Sequence, residues 1–239
     1  MKPQLTDQDV KFWGAFPPIT NWLSNGLSKD AKVLEVGPGP HPFNRANVFV
    51  DSSGQDGAIK CDLNFERLPF KDKEFDFAYS RHMLEDMYNP FHACRELSRV
   101  AKAGYIETPS PLAELCIGVD GHSPPYRGYH HHRYLVWAHQ GALHFAPKMP
   151  LVEHVQMDEW ELVNELKPSP VYWNTYFLWA GEISFVHHHD PNPIVYGRTL
   201  TEAVNQSQKS SFAFWTHHNI PLNYHGVIYV NQTQQAGAA

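Results

Sequence analysis

Two groups of residues have types and spacing that can do chemistry. The first lies in VLEVGPGPHPFNRANVFVD, residues 33–51, where Glu35 precedes Gly37 and Gly39 and the stretch closes on Asp51. Glycine lets a backbone approach a ligand closely. An acid that ends the following strand can accept both hydroxyls of a ribose. The second group is histidine. His82 follows FDFAYSR, residues 75–81, at the edge where open α/β sheets place ligands. His130, His131 and His132 form a run further on, and His187, His188 and His189 form another. Imidazole titrates near neutral pH, so His82, His130 and His132 are the candidate general bases.

Each group also has a plain structural reading. The glycines can simply make a tight turn, because Pro38, Pro40 and Pro42 stand where a first crossover helix would begin and proline lacks the N–H that a helix interior needs. In a strand, His130 and His132 would share one face and His131 the other. The run from His187 to Asp190 could add a carboxylate to a two-histidine, one-carboxylate arrangement. Adjacent histidines lack the interrupted spacing of a zinc signature. They are therefore read as pocket donors or surface hydrogen-bonding residues, and no metal ligand is assigned. Glu85 and Asp86 read as first-turn helix acids. Tyr126, Tyr129, His130 and Arg133 follow the last strand of the first half, in a loop suited to recognition, and are the expected substrate contacts.

The elements that must position these groups show in the pattern. A short amphipathic helix is expected near 18–27. Apolar runs predict strands at 32–36, 48–50 and 75–79, a brief extended piece at 60–63, and a further strand at 104–108. Phe91, Cys94, Leu97 and Val100 recur at helical spacing, so 90–101 reads as an amphipathic helix. Strands alternating with helices imply a parallel sheet with crossovers. Beyond Pro111 the text becomes rich in His and aromatics. A hairpin is expected from 133–137 and 142–145 around Gln140–Gly141, a helix is conceivable at 158–165, and 171–230 reads as β-rich with loops. The polar tail 231–239 reads as disordered.

Composition narrows the partners. Hydrophobic residues make up 42% of 239, enough for a real core. Nineteen basic against 25 acidic residues, with no Lys/Arg run, argue against a nucleic-acid backbone as partner. Cys61, Cys94 and Cys116 are odd in number and widely spaced, so buried reduced thiols are expected. The N-terminus lacks an apolar signal segment and no apolar run is long enough to span a bilayer. A cytoplasmic protein is the expectation, with a homo-oligomer left open.

An ordered set of motifs carries a resemblance. It comprises Gly37-Pro-Gly39 after a strand, Asp51 ending the next, Cys61-Asp62-Leu63 before Leu68-Pro69-Phe70, then FDFAYSRHMLE, the Glu96-Leu97-Ser98-Arg99-Val100 helix and Tyr105-Ile106-Glu107-Thr108-Pro109. Over about residues 32–111 the chain resembles the class I S-adenosylmethionine-dependent methyltransferases of the small-molecule type. The resemblance implies S-adenosyl-L-methionine as cofactor. It implies Gly37 and Gly39 under the methionine and ribose, Glu35 toward the amino end, Asp51 on the ribose hydroxyls and Ser52 beside the adenine. It further implies Asp62 on the adenine amine, Leu63 against the ring, and Ser80, Arg81 and His82 closing the methionine side. One departure stands out: Gly39 and Asp51 are 12 apart, where such folds place the acid about 20 residues on. The first crossover helix must be short or absent. A dinucleotide pyrophosphate needs that helix N-terminus, whereas a sulfonium cofactor does not.

The expected fold is therefore α/β: a Rossmann-like, parallel-rich sheet with flanking helices, a shortened first crossover helix, and a His- and aromatic-rich, β-containing C-terminal elaboration. The expected organisation is a lead-in at 1–30, a cofactor-binding core at 31–111, a substrate-shaping part at 112–230 and the tail. The expected function is in-line methyl transfer to a small polar or aromatic acceptor. Two other readings compete with it. One is a nucleoside-binding module without turnover, whose His-rich region binds a partner or senses metal. The other is a metal-dependent enzyme built from the His-rich second half.

Overall fold

A computed structural model of the chain describes residues 16–116, 127–150, 152, 170–190 and 192–221. Strands β1 (Val33–Val36), β2 (Val48–Asp51), β3 (Ile59–Lys60), β4 (Phe75–Arg81), β5 (Ala101–Pro109) and β8 (Asn174–Ala180) form one sheet in the order β3-β2-β1-β4-β5-β8. All neighbours are parallel except β8, which runs antiparallel along β5 from Ala103 opposite Ala180 to Pro109 opposite Asn174. A second sheet holds β6 (Tyr134–His139), β7 (Ala142–Pro147) and β9 (Phe185–His187), in the order β6-β7-β9.

The inner strands β1, β4 and β5 of the main sheet are buried on both faces over most of their length, which is why they read as apolar runs rather than alternations. Val33, Phe77, Tyr79, Tyr105 and Tyr176 face one core; Leu34, Val36, Ala78, Ile106, Phe177 and Trp179 face the other. Helix α1 (Pro17–Gly26) puts Ile19 and Leu23 on the first core. Helix α2 (Pro90–Val100) puts Ala93, Cys94, Leu97 and Val100 on the second. Asn89 caps α2, its side chain accepting from the His92 N–H at 3.2 Å, and Pro90 opens the first turn, where no N–H is missed. The β6–β7 hairpin turns at Gln140 and Gly141, with φ of 50° and 77°, as its Gln-Gly pair predicts. It feeds Leu135 and Trp137 into one core and Val136 and Phe145 into the other, joining the small sheet to the large one.

Between β1 and β2 the described chain holds turns and no helix, in agreement with the proline-stiffened loop. The extended piece after β2 is shorter than expected. β3 stops at Lys60 because Asp62 turns the chain, its Oδ1 accepting from the Asn64 N–H at 2.9 Å. The larger correction lies beyond residue 190, where a β-rich region was expected. Pro193–His217 is instead one 25-residue helix, α3. It buries Tyr196, Ala203, Ser207, Ser211 and Trp215 against the rest of the molecule. The expected helix at 158–165, the tail, and Tyr126 lie outside the described residues. The three cysteines are buried free thiols, and burial pushes Cys94 and Cys116 up to about 12. None of the described helices is long and apolar enough to cross a membrane.

Candidate functional site

The C-terminal ends of β1, β2, β4 and β5 share one edge of the sheet. At the end of β1, Glu35 is 2% exposed and its carboxylate accepts from the Phe43 N–H at 2.8 Å. That bond fastens the proline loop back onto the strand that launches it. Burial pushes the Glu35 carboxyl up to about 7, against the Phe43 hydrogen bond and the positive Arg81. Gly37 and Gly39 have φ of 71° and 53°, a left-handed backbone that only glycine adopts without strain. The Gly37 N–H donates to Val50 O at 2.9 Å, so the turn is tied to β2. A side chain at Gly39 would meet nothing within 4 Å, whereas one at Gly37 would press on Met83.

Asp51 stands at the end of β2 beside this turn. Its Oδ1 accepts from the Ser53 N–H at 2.8 Å and the Ser53 hydroxyl at 2.6 Å, which orients the carboxylate. Ser52 is exposed next to it. Asp62 makes a turn with its own backbone, while Leu63 is buried at 4% exposure. Ser80 is buried at the end of β4 and Arg81 is half-buried.

His82 lies just past β4 with φ of 51°, a strained conformation for a residue bearing a side chain. Its N–H donates to Glu107 O at 2.8 Å, and its ring lies between two buried carboxylates: Nδ1 is 3.4 Å from Glu85 Oε1 and Nε2 3.8 Å from Glu107 Oε1. Burial, helped by the positive Arg81, holds the His82 pKa down at about 3. The ring is neutral throughout the physiological range, so it serves better as a hydrogen-bonding partner than as a proton acceptor.

Sequence reasoning assigned Glu85 and Asp86 to the first turn of a helix. The helix begins only at Pro90, and both acids sit in the turn before it. Glu85 is 1% exposed and burial pushes it up to about 7. Burial and the neighbouring Glu85 push Asp86 up to about 6. Glu107 was quoted only as part of a strand motif; it is buried, bonded to the Tyr105 hydroxyl and to Asn174 Nδ2 at 2.7 Å. Glu114 was not foreseen. It is 1% exposed, meets His132 Nδ1 at 2.5 Å and Lys148 Nζ at 2.8 Å, and is held below the usual carboxylate range: its burial is outweighed by its contacts with the His132 ring and the Lys148 ammonium. Burial pulls His132 down, but the surrounding carboxylates, Glu114 first, outweigh it and the net shift is upward. The sequence signal for Glu85, Asp86 and Glu114 was only their position after strand ends, and for Glu107 its place in the last residues of β5.

The expected pairing of His130 with His132 on one strand face does not occur. Both precede β6, in a turn that the Arg133 N–H anchors to Glu85 O at 2.7 Å. His132 is buried, whereas His130 and His131 are exposed. Tyr129 is also buried, stacked on His132 with ring centroids 4.5 Å apart, and so supports that ring rather than lining an open surface. Arg133 lies over the Tyr88 ring at 3.6 Å and donates to Asp86 O at 3.0 Å. A cavity of about 540 Å³ at Arg67–Asp72, Glu74 and Arg99 lies at the opposite, N-terminal end of β4 and has no part in this edge.

Comparison with known proteins follows the same line. Residues 20–106 match the family model described as a methyltransferase domain. No curated protein matches the chain. Among solved structures, an S-adenosylmethionine-dependent methyltransferase from Thermotoga maritima aligns at 22% identity over 41% of this chain and 52% of its own, with a TM-score of 0.33. Two others of the same description, from Aquifex aeolicus and Mesorhizobium loti, align at 19% and 17% identity. They cover 40% and 59% of this chain and 65% and 68% of theirs, with TM-scores of 0.31 and 0.33. The chain spans about half the length of the first solved structures it matches. The family match takes in the glycine turn, the strand-end acid and α2 together, so that residues 20–106 are similar to a methyltransferase domain.

Proposed function

We propose that the whole chain is an S-adenosylmethionine-dependent methyltransferase that acts on a small polar or aromatic acceptor by in-line transfer. The observation that carries this reading is the convergence of the Gly37–Gly39 turn, the buried Glu35 carboxyl and the β2-end Asp51 at one sheet edge. These residues fit the cofactor. The surface over Gly39 is open, Glu35 offers a carboxyl to a cationic amino end, and Asp51 is held ready for ribose hydroxyls. Ser80, Arg81 and His82 close the side toward β5, with Ser52, Asp62 and Leu63 toward the base. When bound, S-adenosylmethionine supplies a sulfonium methyl open to displacement. The protein's share is then orientation and exclusion of water.

The acceptor side is formed, in this reading, by the parts that follow residue 111. The hairpin packs its leading turn onto Glu85, and Arg133 with Tyr88 forms a cationic and aromatic rim. Where the acceptor atom carries a proton, Glu85 is better poised to take it than His82, since a base works best with a pKa near the working pH. His130 contributes shape rather than proton transfer, and Tyr129 supports the His132 ring from behind.

Calorimetric titration of S-adenosylhomocysteine into the parent and into Asp51→Ala tests the cofactor site. Micromolar binding that weakens at least tenfold in the variant, about 1.4 kcal/mol, supports it. Absence of binding to a well-folded parent would overturn the reading. Binding without turnover across a broad acceptor panel would favour a nucleoside-binding module.

A further inference from the structure

Three potential ligand atoms converge in the turns beside the cofactor edge, on residues given no cofactor role. The Asp86 carboxylate faces two imidazoles: Oδ1 is 3.7 Å from His131 Nε2 and 3.9 Å from His132 Nε2. One ligand atom from each of the three residues lies within 4.8 Å of the others. Asp86 Oδ1 is itself buried and has no hydrogen-bond partner. A buried carboxylate oxygen without a hydrogen-bond partner, flanked by two ring nitrogens, offers a cation three ligand atoms.

We propose that Asp86, His131 and His132 bind one divalent transition-metal cation of the zinc class, with Glu114 as the positioning residue for His132. Two imidazoles and a carboxylate suit such a borderline ion. For a tetrahedral site with bonds near 2.1 Å, ligand atoms stand about 3.4 Å apart, so the two carboxylate–imidazole spacings need to contract by a few tenths of an ångström, and the two imidazole nitrogens, within 4.8 Å of each other, close by rotation of the His131 ring. The exposed His131 ring, with 57% of its side chain accessible, can supply that movement, and it also gives the ion a way in.

The surroundings of His132 carry the proposal further. Its side chain is 4% exposed, and its Nδ1 is engaged at 2.5 Å by Glu114 Oε1. That bond puts the Nδ1 hydrogen on the Glu114 side and leaves the Nε2 lone pair facing Asp86, the carboxylate–imidazole arrangement that orients metal-binding histidines. Glu114 is fixed in turn by Lys148 Nζ at 2.8 Å and the Tyr129 N–H at 3.2 Å. Gly128 makes room for this packing, since a side chain there would collide with Glu114. By contrast, His144 Nδ1 and His188 Nε2, 2.9 Å apart, are already hydrogen-bonded to each other. An ion at Asp86 would tie the turn before β6 to the turn after β4, leaving a fourth position for water or an acceptor heteroatom.

The test uses the full chain, free of any affinity tag, stripped with chelator and titrated with Zn²⁺ and with Co²⁺. One equivalent should bind, with Co²⁺ giving the visible bands of a four- or five-coordinate site. His131→Ala and Asp86→Ala should each weaken binding at least tenfold, and Glu114→Gln should weaken it 10–100-fold. His131 is exposed, so its variant should fold even where the buried ones do not, and far-ultraviolet circular dichroism checks each. Lack of stoichiometric binding overturns the proposal. So does binding that survives His131→Ala but disappears in His188→Ala. Because Zn²⁺ is titrated without cofactor, the result stands apart from the S-adenosylhomocysteine titration.

Discussion

The Glu35 carboxyl is 2% exposed, accepts the Phe43 N–H, and is pushed by burial up to about 7 from an ordinary 4.5. Its folded pKa lies above the unfolded one, so between those values the unfolded chain has already released the proton that the folded chain retains. The folded state is therefore most favoured below about pH 4.5, loses stability as pH rises toward 7, and then levels off. The full span corresponds to roughly 3 kcal/mol by linkage. Glu35→Gln keeps an acceptor for Phe43 and removes the titration. Urea denaturation of both proteins from pH 5 to 8 should show the variant gaining on the parent by 1–3 kcal/mol, on the order of that linkage. A gap that stays constant with pH would show that Glu35 ionises freely in the fold. Of this site, the sequence made Glu35, Gly37, Gly39 and Asp51 legible, because strand-end glycines and acids stand out locally. Glu85, Glu114 and Lys148 were not legible. Their importance comes from burial against residues 18 to 48 positions away, such as His132 and Arg133.

At the scale of elements, β1, β2, β4, β5, α2 and the hairpin were readable, because their apolar periods are undiluted by function. Helix α3 was not. Its buried stripe reads Tyr196, Ala203, Ser207, Ser211 and Trp215. Serine in that stripe hides the apolar period, although Ser211 Oγ simply donates to Asn174 O at 3.0 Å. β8 was equally hidden, since nothing local says that Asn174–Ala180 will pair with β5. Gly104 shows how closely the two strands meet. A side chain there would strike the Ala78 carbonyl and the Trp179 ring, 2.6 Å from its Cζ2. Gly104→Ala should therefore cost about 1–3 kcal/mol, as overpacked cores do. It should also move Trp179, and both are read by urea denaturation followed through tryptophan fluorescence. An unchanged midpoint would show that β8 can slide away from β5 at no cost.

On the scale of the whole molecule, the stretch that matches the methyltransferase domain ends at residue 106, inside β5. The sheet does not end there. β5 is paired on its far side over seven positions by β8, which lies some 70 residues on. The cores on both faces also draw on the later chain: Trp137, Trp173, Tyr176 and Trp215 fill one of them. Burying a large apolar side chain is worth about 2–3 kcal/mol. Four such rings are then worth on the order of 10 kcal/mol, comparable to the 5–15 kcal/mol that holds a whole domain together. Removal of everything after residue 111 would also leave β5 as a bare edge beside exposed apolar surface, a template for aggregation. Residues 16–111 expressed alone should thus lack cooperative unfolding in urea and give poorly dispersed amide resonances, although every proposed cofactor contact from Glu35 to His82 is present. A cooperative transition in that fragment would instead make the first half a unit with its own stability, and the second half an attachment to it.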